Sequence, residues 1–251
     1  MGKFIDTPNE GMLEGRNAVT EALKSGRTID KVFIASGDTD STLRHIASLA
    51  KKNGAVVTCC DRRKLDTMSQ TGAHQGVIAM ASAASYSSIA EILATAADRG
   101  EPPLVVICDE ITDPHNLGAI LRTAECAGAH GVIIPKRRNA GLTAVVAKAA
   151  AGALEYMKVA RVTNLTAAME ELKACGVWIY GTAADGSSSL YQTDLKGPCA
   201  IVIGSEGSGM SRLVAESCDF MVSIPMKGQI NSLNASNAAA ILLYEVLRQR
   251  S

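Results

Sequence analysis

The sequence predicts an α/β protein in two parts, a small α/β sandwich followed by a larger domain built on a parallel sheet. Three observations carry this. Short apolar runs alternate with helix-length segments along the chain, the order that places helices on both faces of a mostly parallel sheet. An Ala/Ser-rich stretch, "AMASAASYSSIAE" at 79–91, interrupts the alternation and has no charge before Glu91. With 251 residues, 47% of them hydrophobic, there is enough chain to bury a core on each side of that stretch.

Taken in order, the first part reads as helix ("AVTEALKSG"), strand ("KVFIAS"), helix ("STLRHIASLAKKNG"), strand ("AVVTCC"), short helix ("RRKLDTMSQ") and strand ("GVIAMA"). Gly26 and Gly54 fall where glycines end helices. The predicted boundaries are 1–82 for this domain, 83–90 for the linker and 91–251 for the second domain. The helix after the linker is stopped by Pro102 and Pro103. Strand-like runs then follow as "LVVIC", "GVIIP", "MKVAR", "VWIYGTA", "CAIVIG" and "DFMVSIP", with helices between most of them and a last helix from about Ala238 to Arg248. Between "WIYGTA" and "CAIVIG" the stretch "ADGSSSLYQTDLKGP" reads as a surface loop.

Composition narrows the function classes. No run approaches the roughly 20 apolar residues of a membrane span, and "MGKFIDTPNEGM" has no signal-peptide apolar region, so a cytoplasmic protein is expected. Seven cysteines, none in a CxxC pair, and four histidines without metal-ligand spacing argue against a metal site or a redox motif. Formal net charge is zero, with 11 basic and 9 acidic residues through 84 and 14 against 16 after it. A nucleic-acid surface would therefore have to be local. The clusters available are Arg62, Arg63 and Lys64, and Lys136, Arg137 and Arg138.

Three strand-to-helix junctions have unusual compositions, and ligands in open parallel sheets collect at such junctions. In "DEITDPHNLGAILRTAECAGAHGVIIP", Asn116 reads as the residue opening the helix. At 100° per residue from Asn116, the apolar positions Leu117, Ile120, Leu121, Ala124 and Ala127 centre near about 80°, and Arg122 falls near about 240°. Arg122 is then off the core face. "IVIGSEGSGMSRL" is glycine-rich after a strand, yet matches neither the dinucleotide GxGxxG spacing nor a phosphate loop. Its Glu206 would repel phosphate, and the loop suits a ligand that is cationic or that is read by exposed backbone groups. "INSLNASN" offers five polar side chains before the last helix, where capping needs one. That helix is apolar almost all round, which predicts burial against its own sheet and against a second subunit.

In this order and spacing, "DPHNLGAILRTAECAGAHGVIIP", "IVIGSEGSGMSRL" and "SIPMKGQINSLNASNAAAILLYEVLRQR" resemble the three motifs of the SpoU/TrmH family of RNA 2′-O-ribose methyltransferases. "LEGRNAVTEAL" and "TGAHQGVIA" resemble the L30e-like RNA-binding domain of that family's 23S rRNA guanosine methyltransferases. The resemblance implies a deep trefoil knot in the C-terminal domain, S-adenosylmethionine (AdoMet) as cofactor, a homodimer packed partly through the last helix, and RNA as partner, with 23S rRNA foremost. A tRNA guanosine, an rRNA adenosine and a non-catalytic RNA-binding protein remain the alternatives. It also implies roles. Asn116, Arg122, Glu206, Asn234 and Ser236 would act at the reacting ribose. Thr182, Gly204, Gly209, Ile224, Met226 and Leu233 would contact the cofactor. Arg16 would join Arg62, Arg63, Lys64, Lys136, Arg137 and Arg138 along the RNA. Ala235 and Asn237 depart from the valines of many relatives.

Overall fold

The computed structural model describes residues 11–37, 40–183, 188–230 and 232–251. The chain divides into two compact units. One comprises the residues up to Ser85 together with Gly141–Ala144, and the other comprises Tyr86–Ala140 and Val145–Ser251.

The first unit is a four-stranded sheet with helices on both faces. Its elements are β1 (Met12–Glu14), α1 (Arg16–Lys24), β2 (Ile29–Ala35), α2 (Ser41–Lys52), β3 (Val56–Cys60), α3 (Arg62–Met68) and β4 (Val77–Ala81). The strand order is β1-β4-β2-β3, with β2 and β3 parallel and the other pairs antiparallel. Alternation along the strands sorts the side chains by face. Val32, Ile34, Val77 and Ala79 meet Val19 and Leu23 of α1 and Leu43 and Ile46 of α2. Phe33, Ala35 and Ile78 meet Leu65 of α3 on the other side. Asp40 and Asp61 cap α2 and α3, accepting from Thr42 N at 2.8 Å and Arg63 N at 3.0 Å. β1 was not expected. Its three residues are too few to show a period of two, and tertiary pairing with β4 makes them a strand.

The second unit contains α4 (Ile89–Arg99), β5 (Leu104–Cys108), α5 (Pro114–Cys126), β6 (Gly131–Pro135), α6 (Ala144–Ala150), β7 (Lys158–Val162), α7 (Leu165–Ala174) and β8 (Trp178–Thr182). After these come β9 (Ser188–Ser189), β10 (Cys199–Ile203), α8 (Arg212–Glu216), β11 (Phe220–Ser223) and α9 (Ala235–Arg250). The first residue of α6, Ala144, belongs to the other unit. All seven strands are parallel, in the order β7-β6-β5-β10-β8-β11-β9. Val105, Ile107, Ile133, Ile179, Ala200 and Val202 face α4, α7 and α8. Their neighbours Leu104, Val106, Val132, Ile134, Ile201 and Ile203, equally buried, face the opposite side, where α5 and α9 pack on each other. Both faces are covered, as a parallel sheet requires.

Three expectations need correction here. The segment 83–90, expected as linker, runs into α4, whose first turn is closed by a capping box between Ser88 and Glu91. The last helix begins at Ala235 rather than Ala238, so Ser236 and Asn237 lie inside it. The loop after β8 contains β9 and a single 3-10 turn, with Leu190 and Leu195 buried beneath it; its residues 184–187 lie outside the described set.

The strand order locates the site. From β5 the chain moves outward to β6 and β7, returns beyond β5 to build β8, and later inserts β10 between β5 and β8. The direction of winding therefore reverses beside β10, and a crevice opens at the carboxyl ends of the strands where it does.

Candidate active site

β10 leaves the sheet at Gly204 and turns back on itself at once. Ser205 and Gly209 exchange backbone hydrogen bonds, N to O, of 2.9 Å in each direction. The hydroxyls of Ser205 and Ser208 meet across the turn at 2.8 Å. Gly209 has φ +68°, where a side chain would be strained. Gly204 is required for a different reason. A Cβ there would lie 2.4 Å from Gly209 C and from Met210 N, so the returning backbone occupies the space of any side chain. Asp109, the buried residue after β5, fixes the far end of the turn. Its N–H donates to Ile203 O at 2.9 Å, and its carboxylate accepts from Ser211 N at 2.7 Å.

The tip of this turn carries Glu206 to the first turns of two helices. Asp113 caps α5 by accepting from His115 N at 2.9 Å, and Pro114 supplies the fixed φ of a first helical residue. Asn116 is therefore not the cap it was expected to be. As the third residue of the helix, it is free to project. The cap of α9 is Asn234, whose Oδ1 accepts from Ser236 N at 3.0 Å, Ser236 Oγ at 2.5 Å and Asn237 N at 3.3 Å. With Oδ1 so occupied, the amide orientation is set and Nδ2 must face outward. It donates to Asn116 Oδ1 at 2.9 Å and to Glu206 Oε1, while Asn116 Nδ2 donates to the same Oε1 at 3.0 Å. Ala235 N adds a donor at 3.3 Å, at a helix N-terminus that favours a carboxylate. Four of the five expected ribose-side residues thus form one network drawn from three separated segments. Arg122 is not in it. It is exposed, and makes no hydrogen bond or ion pair among the described residues. Six residues beyond Asn116, it lies about 240° round the helix.

Beside the network lies a cavity of about 540 Å³. Thr182, Gly204, Gly209, Ile224, Met226 and Leu233, the six expected cofactor contacts, all line it. Sequence reasoning missed Ala183, Ile203, Met210, Met221, Val222 and Ala238, which share the walls. Ala183 and Ile203 had a positional signal, since they follow β8 and end β10, whereas Met221 and Val222 lie within β11 and Ala238 within α9. Thr182 uses its hydroxyl on Val202 O at 2.9 Å. The cavity is of the size that holds drug-sized ligands. Its chemistry is apolar walls, peptide groups brought close by glycine, and one carboxylate. That donor set fits an adenosine bearing a charged amino-acid tail.

The basic residues divide by environment. Arg62, Arg63 and Lys64 are exposed on α3, with the Lys64 ammonium 5.7 Å from the centre of the Phe33 ring. Arg16, in contrast, is committed, since it pairs with Asp40 and donates from Nε to Gln75 O at 3.1 Å. Lys136, Arg137 and Arg138 follow β6, and Arg138 pairs with Glu110 at 3.1 Å. Glu110 and Arg138 both have left-handed backbones, at φ 60° and 57°. Their loops are tied together by Ile111 N donating to Asn139 Oδ1 at 2.8 Å, a positioning contact not foreseen. Among the described residues, His, Cys, Asp and Glu nowhere gather in a group of three or more that could hold a metal ion. None of the described helices is long and apolar enough to cross a membrane.

Residues 103–244 match the model of the SpoU rRNA Methylase family, and residues 12–87 match the model described as RNA 2′-O ribose methyltransferase substrate binding. YacO of Bacillus subtilis (strain 168), assigned to the TrmH family of tRNA/rRNA methyltransferases, is 48% identical over 94% of this chain and 95% of its own. A Staphylococcus saprophyticus protein assigned to the same family is 46% identical over 96% of this chain and 97% of its own. Among solved structures, the SpoU methyltransferase AviRb from Streptomyces viridochromogenes, crystallised with AdoMet, is 25% identical with a TM-score of 0.61, covering 95% of this chain and 89% of that one. The chain belongs to the SpoU/TrmH family of RNA methyltransferases.

Proposed function

We propose that the chain transfers a methyl group from AdoMet to the 2′-oxygen of a ribose in RNA, with a guanosine of 23S rRNA as the target. One observation carries this most strongly: the cavity at the switch point opens beside the Asn116–Glu206–Asn234 network. When bound there, AdoMet supplies a methyl group on a positively charged sulfur. The deep trefoil knot is implied by the family fold.

The chain's own contribution is alignment. Displacement at the methyl carbon needs oxygen, carbon and sulfur in line, and holding them so removes most of the entropic barrier. Gly204 and Gly209 let the peptide backbone approach the adenosine, and Ile224, Met226 and Leu233 exclude water around it. Asn116 and Asn234 are held rigidly by each other and by Glu206, and so present fixed dipoles to the sugar. Ser236 acts through Asn234 by fixing its amide orientation.

Arg122 supplies positive charge to the adjacent phosphate and to the oxygen as its proton leaves. A guanidinium is a poor proton acceptor, which favours this role over that of a base. Because it lies round the helix from Asn116, it reaches a site only across a homodimer. The surface of α9 supports such a dimer. Tyr244 is 50% exposed and Leu247 37% exposed, and with the partly buried Ala240 and Ile241 they make an apolar stripe left uncovered in one chain.

RNA is gripped by Arg62, Arg63 and Lys64 of α3 and by Lys136, Arg137 and Arg138, local positive charge on a chain with none overall. Arg16 adds its positive charge to the RNA-facing set while its guanidinium is held by Asp40. The unpaired thiols suit the cytoplasm. Burial pushes Cys108 up to about 12 and Cys199 up to about 11, so both stay protonated and inert.

The test is transfer of labelled methyl from AdoMet to unmodified 23S and tRNA transcripts, followed by digestion to nucleosides. Label in 2′-O-methylguanosine from 23S RNA is the expected result. Label on a base, or in tRNA alone, would overturn the assignment of position or of substrate.

A further inference from the structure

Glu206 is the one ionisable side chain among the described residues lining the cavity. Its two oxygens are unequal. Oε1 accepts from Asn116, Asn234 and Ala235 N, whereas Oε2 accepts no hydrogen bond among the described residues. The bonds to Oε1 fix where the carboxylate sits without removing its charge. The rest of the wall is apolar side chains, hydroxyls and peptide groups, and Lys and Arg are absent from it among the described residues. A single negative charge is thus anchored at the boundary between the cavity and the network that faces the ribose.

Resting on the function proposed above, that boundary is where the reacting sulfur lies. The donor and its demethylated product, S-adenosylhomocysteine, share the adenosine, the ammonium and the carboxylate. They differ in one methyl group and in the charge on sulfur, which is positive in the sulfonium and zero in the thioether. We infer that Glu206 is the charge-selective element of the cofactor site, holding the sulfonium donor more tightly than the thioether product and so driving exchange of product for donor. The attraction is lost as the methyl leaves, so it favours turnover of the site and not the displacement itself.

Two unit charges ~6 Å apart near a protein surface attract strongly enough to move an equilibrium about a hundredfold. Because Glu206 is exposed, screening by water and salt reduces that to about tenfold, or ~1.4 kcal/mol.

The experiment is calorimetric titration of AdoMet, S-adenosylhomocysteine and sinefungin, in which a protonated amine replaces the sulfonium methyl, into the full chain and into Glu206→Gln. That substitution keeps an acceptor oxygen for Asn116, Asn234 and Ala235 N and loses only the charge. The wild-type protein is expected to bind AdoMet and sinefungin about tenfold more tightly than S-adenosylhomocysteine. In Glu206→Gln that preference should vanish, with the affinity for S-adenosylhomocysteine kept within about twofold. Absence of any preference in the wild type, or a parallel loss of all three ligands in the variant, would overturn the inference. The wild type alone gives a second readout, since the preference should narrow toward 1 M salt, where the Debye length is about 3 Å. A preference indifferent to salt would also overturn it. Equal binding of donor and product defeats this inference alone, whereas failure of the wild type to bind either ligand defeats the methyltransferase assignment beneath it.

Discussion

Replacing Gly204 with alanine is the most demanding single-atom-group test of the site. The added Cβ would meet Gly209 C and Met210 N at 2.4 Å and Gly209 O at 2.7 Å, and all three are backbone atoms that cannot rotate away. Relief to ordinary contact requires the two crossing segments to part by roughly 1 Å. That separation breaks the paired hydrogen bonds between Ser205 and Gly209, costing ~1 kcal/mol each, on top of ~1–3 kcal/mol for overpacking. At the lower end of these ranges the loss is ~3 kcal/mol. With a urea dependence of ~3 kcal/mol per molar for a unit of this size, the midpoint should fall by about 1 M. Trp178, the single tryptophan, lies in β8 of the same unit and reports its unfolding by fluorescence. Gly204, Gly209 and Met210 all border the cavity, so AdoMet binding should weaken by about tenfold or more at the same time. Gly207→Ala is the matched control: a Cβ there meets nothing within 4 Å, and the residue is exposed. If the two variants unfold and bind alike, the crossing at Gly204 is not what shapes the site.

Other perturbations address separate parts of the molecule. If Arg122 acts across a homodimer, Arg122→Ala and Asn234→Ala should each be nearly inactive alone, yet recover about a quarter of wild-type turnover when unfolded together and refolded, because half the dimers regain one intact site of two. A mixture as inactive as its components would put Arg122 in its own chain's site or out of the reaction. Burial alone would raise the Glu14 carboxyl, but hydrogen bonds from Ser69 and Thr71 and from the backbone of Gln70 and Thr71 outweigh it and lower it from 4.5 to about 2. A depressed carboxyl stabilises the fold above its unfolded value, so this contribution is full above about pH 4.5 and is lost as pH falls toward 2; after screening it is worth ~2 kcal/mol. Circular dichroism during urea unfolding at pH 7 and pH 3 should show that difference shrink in Glu14→Gln, and an unchanged pH dependence would remove Glu14 from the account. Reversing Arg62, Arg63 and Lys64 to glutamate should weaken RNA binding and flatten its dependence on salt, and an unaltered slope would take α3 out of the interface.

Much of this architecture was legible because parallel-sheet strands buried on both faces read as continuous apolar runs. "LVVIC", "GVIIP" and "CAIVIG" became β5, β6 and β10 within a residue. The loops of chemical interest were legible for the same reason, since unusual polar and glycine-rich residues stand out where such a run stops. What escaped depended on contacts made through space. β1 and β9 have three and two residues and exist only through pairing with β4 and β11. The start of α5 was misplaced although "DP" is a cap followed by a first-turn proline, because Asn116 is as good a cap on composition alone. Arg122 was correctly off the core face by periodicity. Periodicity carries no information on whether an exposed side chain belongs to its own chain's site, and in the structure it does not join Asn116, Glu206 and Asn234. Arg16 shows the same limit, since only folding brings Asp40 and Gln75 to it.

The most direct measurement is a crystal structure of this chain with AdoMet and its RNA target's nucleoside. Electron density for the cofactor is expected in the cavity behind Gly204, its methyl group directed at a ribose held against Asn116 and Asn234. A cofactor bound elsewhere, or one whose methyl points away from Glu206 and its two amide partners, would contradict this placement.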